Sequence, residues 1–248
     1  NEKFNLIIQL SIPSILAQVT TVLMFYIDAG MVGSLGAEPS AAIGLVEPAT
    51  WLIFSLVSAV TMGFSVQVAH FIGANDFPKA RAVMRHGYVF GLCFSLLMLL
   101  IAFLIGPRLP IWLGGGADIQ HDAMVYFLIF SCITPFHLIE YMSGAMLKVA
   151  GDMRRPSMMA ILMCVLDVIF NYFLIFPTRT ISLFGIELTM PGLGAGVAGA
   201  ALGSLLAFVC VALPLAYYAI FRSPILAWKQ DVERFSWRWQ YIWNALKI

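Results

Sequence analysis

Six long apolar runs dominate this chain, from about Phe4 to Val32, Ala41 to Ile72, Gly87 to Ile105, Ala123 to Leu147, Met158 to Phe176 and Gly194 to Phe221. Each is close to, or longer than, the roughly 20 apolar residues a helix needs to cross a bilayer. Backbone amides in hydrocarbon have no water to bond, so each run must satisfy its own hydrogen bonds by coiling into a helix. The runs therefore predict an all-α membrane protein, a bundle of six transmembrane helices. Composition leaves little room for anything else: only 11% of the 248 residues are charged, against about 25% in a soluble domain. A net charge of +1 gives no reason to expect a nucleic-acid partner; in a membrane chain the informative feature is where the charges fall.

They fall on one side. The segments before the first run and after the second, fourth and sixth carry 12 of the 14 Lys and Arg residues, whereas the opposite loops, 34–40, 106–122 and 177–193, hold only Arg108 and Arg179. Positive residues stay in the cytoplasm, so the amino terminus is expected there, with the protein threaded many times through the cell membrane. From Arg222 onward charge returns, and Phe235, Trp239, Ile242, Trp243 and Leu246 share one helical face flanked by Arg234, Arg238 and Lys247. That predicts an amphipathic helix along the cytoplasmic interface, with its tryptophans at headgroup level. The expected division is thus a six-span lobe over 1–221 and a cytoplasmic amphipathic linker over 222–248. The stretch 239–248 also resembles the amphipathic run 4–12 that leads into Pro13, as though a second copy of the unit began there. An ordinary terminal surface helix is the alternative. No leader segment is visible: the first run is too long and too kinked for a removable signal peptide.

Ionisable residues inside spans cost about 2.5–3.5 kcal/mol on insertion scales, so each marks a partner, a cavity or a site. Asp28, Glu47, Glu140 and Asp167 qualify. Counting about 1.5 Å per residue from the run ends sets Asp28, Glu47, Asp167, Asn171 and Ser204 in the outer half of the membrane, between about 9 and 15 Å deep. Asp167 and Asn171 are four residues apart and share a helix face. Carboxylate, amide and hydroxyl oxygens are hard donors, suited to a proton or an alkali cation rather than zinc or copper. Two carboxylates close together in low dielectric resist joint ionisation, which makes a site able to release a proton when another cation arrives. The alternative is that each acid only satisfies an interhelical hydrogen bond. Glu140, near the cytoplasmic end with His137 three positions earlier, reads as a hydrogen-bonded pair rather than a metal centre, which needs such ligands from several helices. Glu47, followed by Pro48, is a candidate cavity-lining residue. The cysteines Cys93, Cys132, Cys164 and Cys210 lie in apolar runs without metal-ligand spacing and read as buried hydrophobes.

Proline and glycine add the mechanics. Pro13, Pro48, Pro135 and Pro214 fall inside runs, where each removes a helix hydrogen bond and should bend its span. Gly194, Gly196, Gly199 and Gly203 give the sixth span the small-residue spacing that lets helices approach closely. They lack the strand and the following Lys-Ser/Thr of a phosphate loop, and no nucleophile, base and orienting group combine for hydrolysis.

Five stretches in register carry a family resemblance: Ile27 to Gly36, Gly73 to Asp76 with Lys79-Ala80, Gly151 to Pro156, Asn171 to Phe176, and Gly196 to Ala201. Together they resemble the multidrug and toxic compound extrusion (MATE) transporters over nearly the whole chain. The resemblance implies a twelve-span, two-lobe secondary transporter of which this chain is the amino-terminal lobe, a second six-helix lobe being its partner. It implies exchange of sodium ions or protons for small organic, often cationic, compounds, with no cofactor beyond the coupling ion. It also implies a cation site at Asp28, Asp167, Asn171 and Ser204, and a hinge at Pro13. The archaeal-type pattern of the family has asparagine before aspartate on span five, whereas Asp167 precedes Asn171 here, so sodium and proton coupling both stay open. Flippases of lipid-linked oligosaccharides belong to the same superfamily and give the alternative. A membrane-embedded lipid enzyme using Glu47, His137 and Glu140 is a rival from another class, disfavoured because Glu47 and Glu140 are expected near opposite faces. A lobe serving only assembly is a third.

Overall fold

A computed structural model describes residues 2–183, 186–230 and 236–247. Nearly all of it is helix: α1 (Glu2–Gly33), α2 (Ala37–Gly73), α3 (Phe77–Ile105), the one-turn α4 (Leu109–Trp112), α5 (Gln120–Ser131), α6 (Thr134–Val149), α7 (Arg154–Ile175), α8 (Gly196–Tyr217) and α9 (Trp239–Lys247). Helices α1, α2, α3, α7 and α8 are each long and apolar enough to cross a membrane. Helices α5 and α6 qualify as one span bent by 41°. The chain is therefore a multi-pass, six-span bundle, as the apolar runs require.

Prolines act unequally. The bend between α5 and α6 falls at Cys132 and Ile133, where Pro135 enters the first turn of α6 and cannot continue the ladder. Pro48 and Pro214, expected to bend their spans, lie inside helices whose assignment is unbroken. After Pro214 the mismatch is taken up by a π-helical turn at Tyr218–Arg222. Helix α1 runs unbroken through position 13, and the side chain of the expected hinge Pro13 lies outside the described residues.

The α2–α3 and α6–α7 connections are built alike. Asn75 takes φ 57° and Gly151 φ 89°, a left-handed step that ends α2 and α6. The following aspartates close each turn, the Asp76 amide donating to the Phe71 carbonyl at 2.8 Å and the Asp152 amide to Leu147 at 2.9 Å. Each carboxylate then caps the next helix, accepting from the Lys79 amide at 3.3 Å and the Arg155 amide at 3.2 Å. The Lys79 ammonium, 2.6 Å from Asp76, holds that exposed carboxyl below the usual range. The small stabilisation it adds is present above the ordinary carboxylate range and lost on acidification.

The connection between α7 and α8, expected as a loop, is an antiparallel hairpin of β1 (Pro177–Leu183) and β2 (Ile186–Leu193), with Arg179 opposite Met190. Arg179 lays its guanidinium over Tyr172 at 4.8 Å and Phe176 at 4.2 Å, placing the charge at the span end.

The C-terminal helix docks one face on the bundle and turns the tryptophan face outward. Tyr241, Ile242 and Ala245 are buried, whereas Trp239, Trp243 and Leu246 of the expected stripe are exposed, and Phe235 lies outside the described residues. Gln67 Nε2 donates to the Tyr241 carbonyl at 2.9 Å, and Gly63 faces the Ala245 backbone. Tyr241 beside position 67 and Ala245 beside position 63 set α9 antiparallel along α2, with the two backbones closest where Ala245 meets Gly63. A Cβ at Gly63 would overlap the Ala245 carbonyl oxygen. Gly63→Leu is therefore expected to lift α9 from α2 at a cost of about 1–3 kcal/mol, read as a lower midpoint of thermal unfolding in detergent and faster proteolysis at the 223–238 segment.

Candidate functional site

Helices α7 and α8 make the most intimate contact of the bundle, because α8 presents glycine where their backbones meet. A Cβ at Gly199 would strike the Leu174 carbonyl, and one at Gly203 would strike Asn171 Oδ1. The close approach places Asn171 in the α7–α8 seam, where it and Asp167 are each 1% exposed. Helix α1 packs along the other side of α7 and brings the half-buried Asp28 to the same point.

Asn171 joins the two acids. Its Nδ2 donates to Asp28 Oδ1 at 3.0 Å and to Asp167 Oδ2 at 3.0 Å. The carboxyl groups face one another at close range, and Ser204, one residue beyond Gly203, neighbours Asp167. Asn171 Oδ1, turned toward Gly203, is buried without a hydrogen-bond partner. The four residues singled out in the sequence thus converge from three helices. They form a cluster of oxygen donors with one orphaned acceptor, a composition that fits a proton or an alkali cation. Among the described residues, no three His, Cys, Asp or Glu side chains gather as a metal site.

The cluster opens into a cavity of about 830 Å³ bounded by α1, α2, α5, α6, α7 and α8, into which Asp28, Asn171 and Ser204 project. Glu47 lines it, with Oε1 accepting from Trp51 Nε1 at 3.3 Å. Glu140 and Lys148 line it as well, so the cavity reaches from the acid cluster to the last turn of α6. Estimated depth alone had set Glu47 and Glu140 apart; the bend between α5 and α6 leaves both facing one chamber. The expected His137–Glu140 pair is replaced by another contact: His137 Nε2 lies 3.2 Å from Ser58 Oγ, and its ring stacks on Phe54 at 4.5 Å and 14°. Tyr126 is a member that sequence reasoning missed. Its hydroxyl feels the charges of Glu47, Asp28 and Asp167 together, but a lone tyrosine in an apolar run has no spacing that would mark it.

A family model described as MatE matches residues 13–173, a stretch holding the first four spans and most of the fifth. The chain belongs to the MatE family. Relatives of the chain include a FAD transporter of Shewanella oneidensis, 26% identical over 68% of this chain and 38% of its own. A probable multidrug resistance protein NorM of Oceanobacillus iheyensis is 24% identical over 79% of this chain and 43% of its own. Among solved structures, a multidrug resistance MATE family transporter of the MOP superfamily in an outward-facing conformation superposes with a TM-score of 0.85 at 23% identity, over 98% of this chain and 50% of that one. A MATE crystal structure in a straight conformation gives 0.83 at 24%. The MatE chain thus has the fold of one transporter lobe and spans about half the length of the relatives it matches or less.

Within that lobe Asn171 donates to both carboxylates, which also meet each other directly. Asn171→Ala is expected to destabilise the protein by about 1.5–3 kcal/mol, the value of hydrogen bonds to charged groups. In an Asp28→Asn, Asp167→Asn background the same change should cost far less, and unfolding midpoints for the four variants of the cycle give that difference.

Proposed function

We propose that this lobe belongs to a secondary active efflux transporter of the cell membrane that exchanges Na⁺ or H⁺ for small organic, often cationic, compounds by alternating access. The amino terminus is cytoplasmic in this reading, residues 222–248 lead from the six-span lobe toward a second one, and membrane lipid surrounds both. The observation that carries the proposal is the Asn171 amide, bonded to both Asp28 and Asp167 at the wall of a cavity large enough for a drug-sized molecule. Relatives named as multidrug resistance or export proteins support it.

Asn171 donates where a cation would be drawn. Its amide group, placed between two carboxylates, is a neutral stand-in for positive charge. A cation entering the cluster displaces those N–H bonds, and turning the amide presents Oδ1, now without a partner, as a ligand beside the carboxylates and the Ser204 hydroxyl. Because Asp28 is on α1 and the other three residues are on the tightly joined α7 and α8, the exchange alters how α1 seats against α7. Pro13, on the same helix, is the hinge assigned to absorb that change. Energetically the cation must bind the two seatings with different affinity, since equal affinity shifts nothing.

Drug efflux from cells expressing the full-length protein tests this. Asp28→Asn and Asp167→Asn are each expected to reduce efflux at least about tenfold, the effect of 1.4 kcal/mol of lost coupling. Efflux at the wild-type rate in both variants removes the cluster from the mechanism. Imposing a sodium gradient and a pH gradient separately on vesicles then identifies the coupling ion. FAD is a further substrate to assay beside organic cations, because one relative bears that name.

A further inference from the structure

The chamber has a second compartment. A cavity of about 400 Å³ follows the groove between α2 and α6, past Ser55, Ser58, Ala59 and Met62. Four side chains, Trp51, Phe54, His137 and Tyr141, line both this groove and the main chamber and so form the wall between them. The inner part of the wall is fixed: Phe54 stacks on His137 at 4.5 Å and on Phe130 at 5.4 Å. Trp51 is held differently. It stands at the edge of the wall, 45% exposed, at the flank where α1 and α2 touch only lightly. Its indole meets Phe25 of α1 at 5.3 Å between ring centroids, and its N–H bonds Glu47 one turn earlier on α2.

We infer that Trp51 is a gate between the chamber and the α2–α6 groove, with Phe25 as its stop and Glu47 as the positioning residue that holds it shut. With the indole in place, the lightly packed α1–α2 flank is bridged by aromatic carbon. With it swung away, the two cavities join along a path walled by aromatic and small apolar side chains, which suits a flat, lipid-soluble organic molecule. Phe25 lies three residues before Asp28 on α1, so a change in the seating of Asp28 carries the stop with it. Glu47 thereby acquires a role that needs only an acceptor oxygen, unlike a cation ligand, which needs the charge. The inference rests on reading the chamber as the substrate compartment, but its test requires no transport.

The test follows entry of a planar aromatic reagent. In the whole protein, in membranes, with Cys93, Cys132, Cys164 and Cys210 replaced by alanine, an Ala160→Cys change places a thiol on the chamber wall. Its rate of labelling by N-(1-pyrenyl)maleimide is then compared among variants. Glu47→Ala is expected to speed labelling about fivefold, the population shift that follows loss of one ordinary hydrogen bond, and Trp51→Ala to speed it further. Glu47→Gln, which keeps the acceptor oxygen and discards the charge, should label like the parent. Equal rates in Glu47→Ala and the parent overturn the gate, and a Glu47→Gln rate matching Glu47→Ala overturns the positioning role. The Glu47 pair decides the matter even where Trp51→Ala fails to fold.

Discussion

A carboxylate inside a membrane protein needs a donor, and here one amide serves two. The Asn171 side chain bonds Asp28 and Asp167 at equal length, which ties α1 to α7 beside the direct contact of the two carboxyl groups. Asn171 can stand there only because α8 lacks a side chain at Gly203. The glycines of the sixth span, the intimacy of α7 with α8, and the gathering of acids from separate helices are therefore consequences of one steric allowance. Fill that space and the amide has nowhere to stand; remove the amide and two acids face each other without a donor between them.

Much of the fold was legible because lipid imposes a crude rule. A run of apolar residues near 20 long has one way to satisfy its backbone, so the existence and order of the six spans followed from the runs. What escaped were features set by packing between elements. Pro135 breaks its span and Pro48 does not, a distinction that depends on neighbours rather than on the proline itself. The hairpin over Pro177–Leu193 is short and lies among turn formers, where alternation is weak as a signal. The face of the C-terminal helix that docks on the bundle, Tyr241 and Ala245, escaped as well, because its seat is made by Gly63 and Gln67 on a distant helix.

The site divides the same way. Asp167 with Asn171 was readable from helical spacing, and Asp28 and Ser204 from depth, since rise per residue converts sequence into position along the membrane normal. Depth says nothing about azimuth. Hence the single chamber that Glu47 and Glu140 both line was not foreseen, and His137 was assigned to Glu140 although it turns to Ser58 on α2. Tyr126 and Trp51 escaped notice because an aromatic residue in an apolar run looks like any other hydrophobe until it is seen to line the chamber and, for Trp51, to bond Glu47.

The hairpin also settles which parts can slide. Past the top of α7, the Gly194 amide donates to the Phe176 carbonyl at 2.9 Å and the Ala195 amide to Leu174 at 2.9 Å. The chain is thus stitched back onto α7 before α8 begins, and the glycine seam continues the stitching downward. Helices α7 and α8 are thus joined backbone to backbone, at the hairpin and along the seam. Helix α1 meets them through side chains alone, at the Asn171 bridge and the Asp28–Asp167 contact, so the attachment of the first span rests on a few exchangeable polar bonds where that of the sixth rests on fixed geometry.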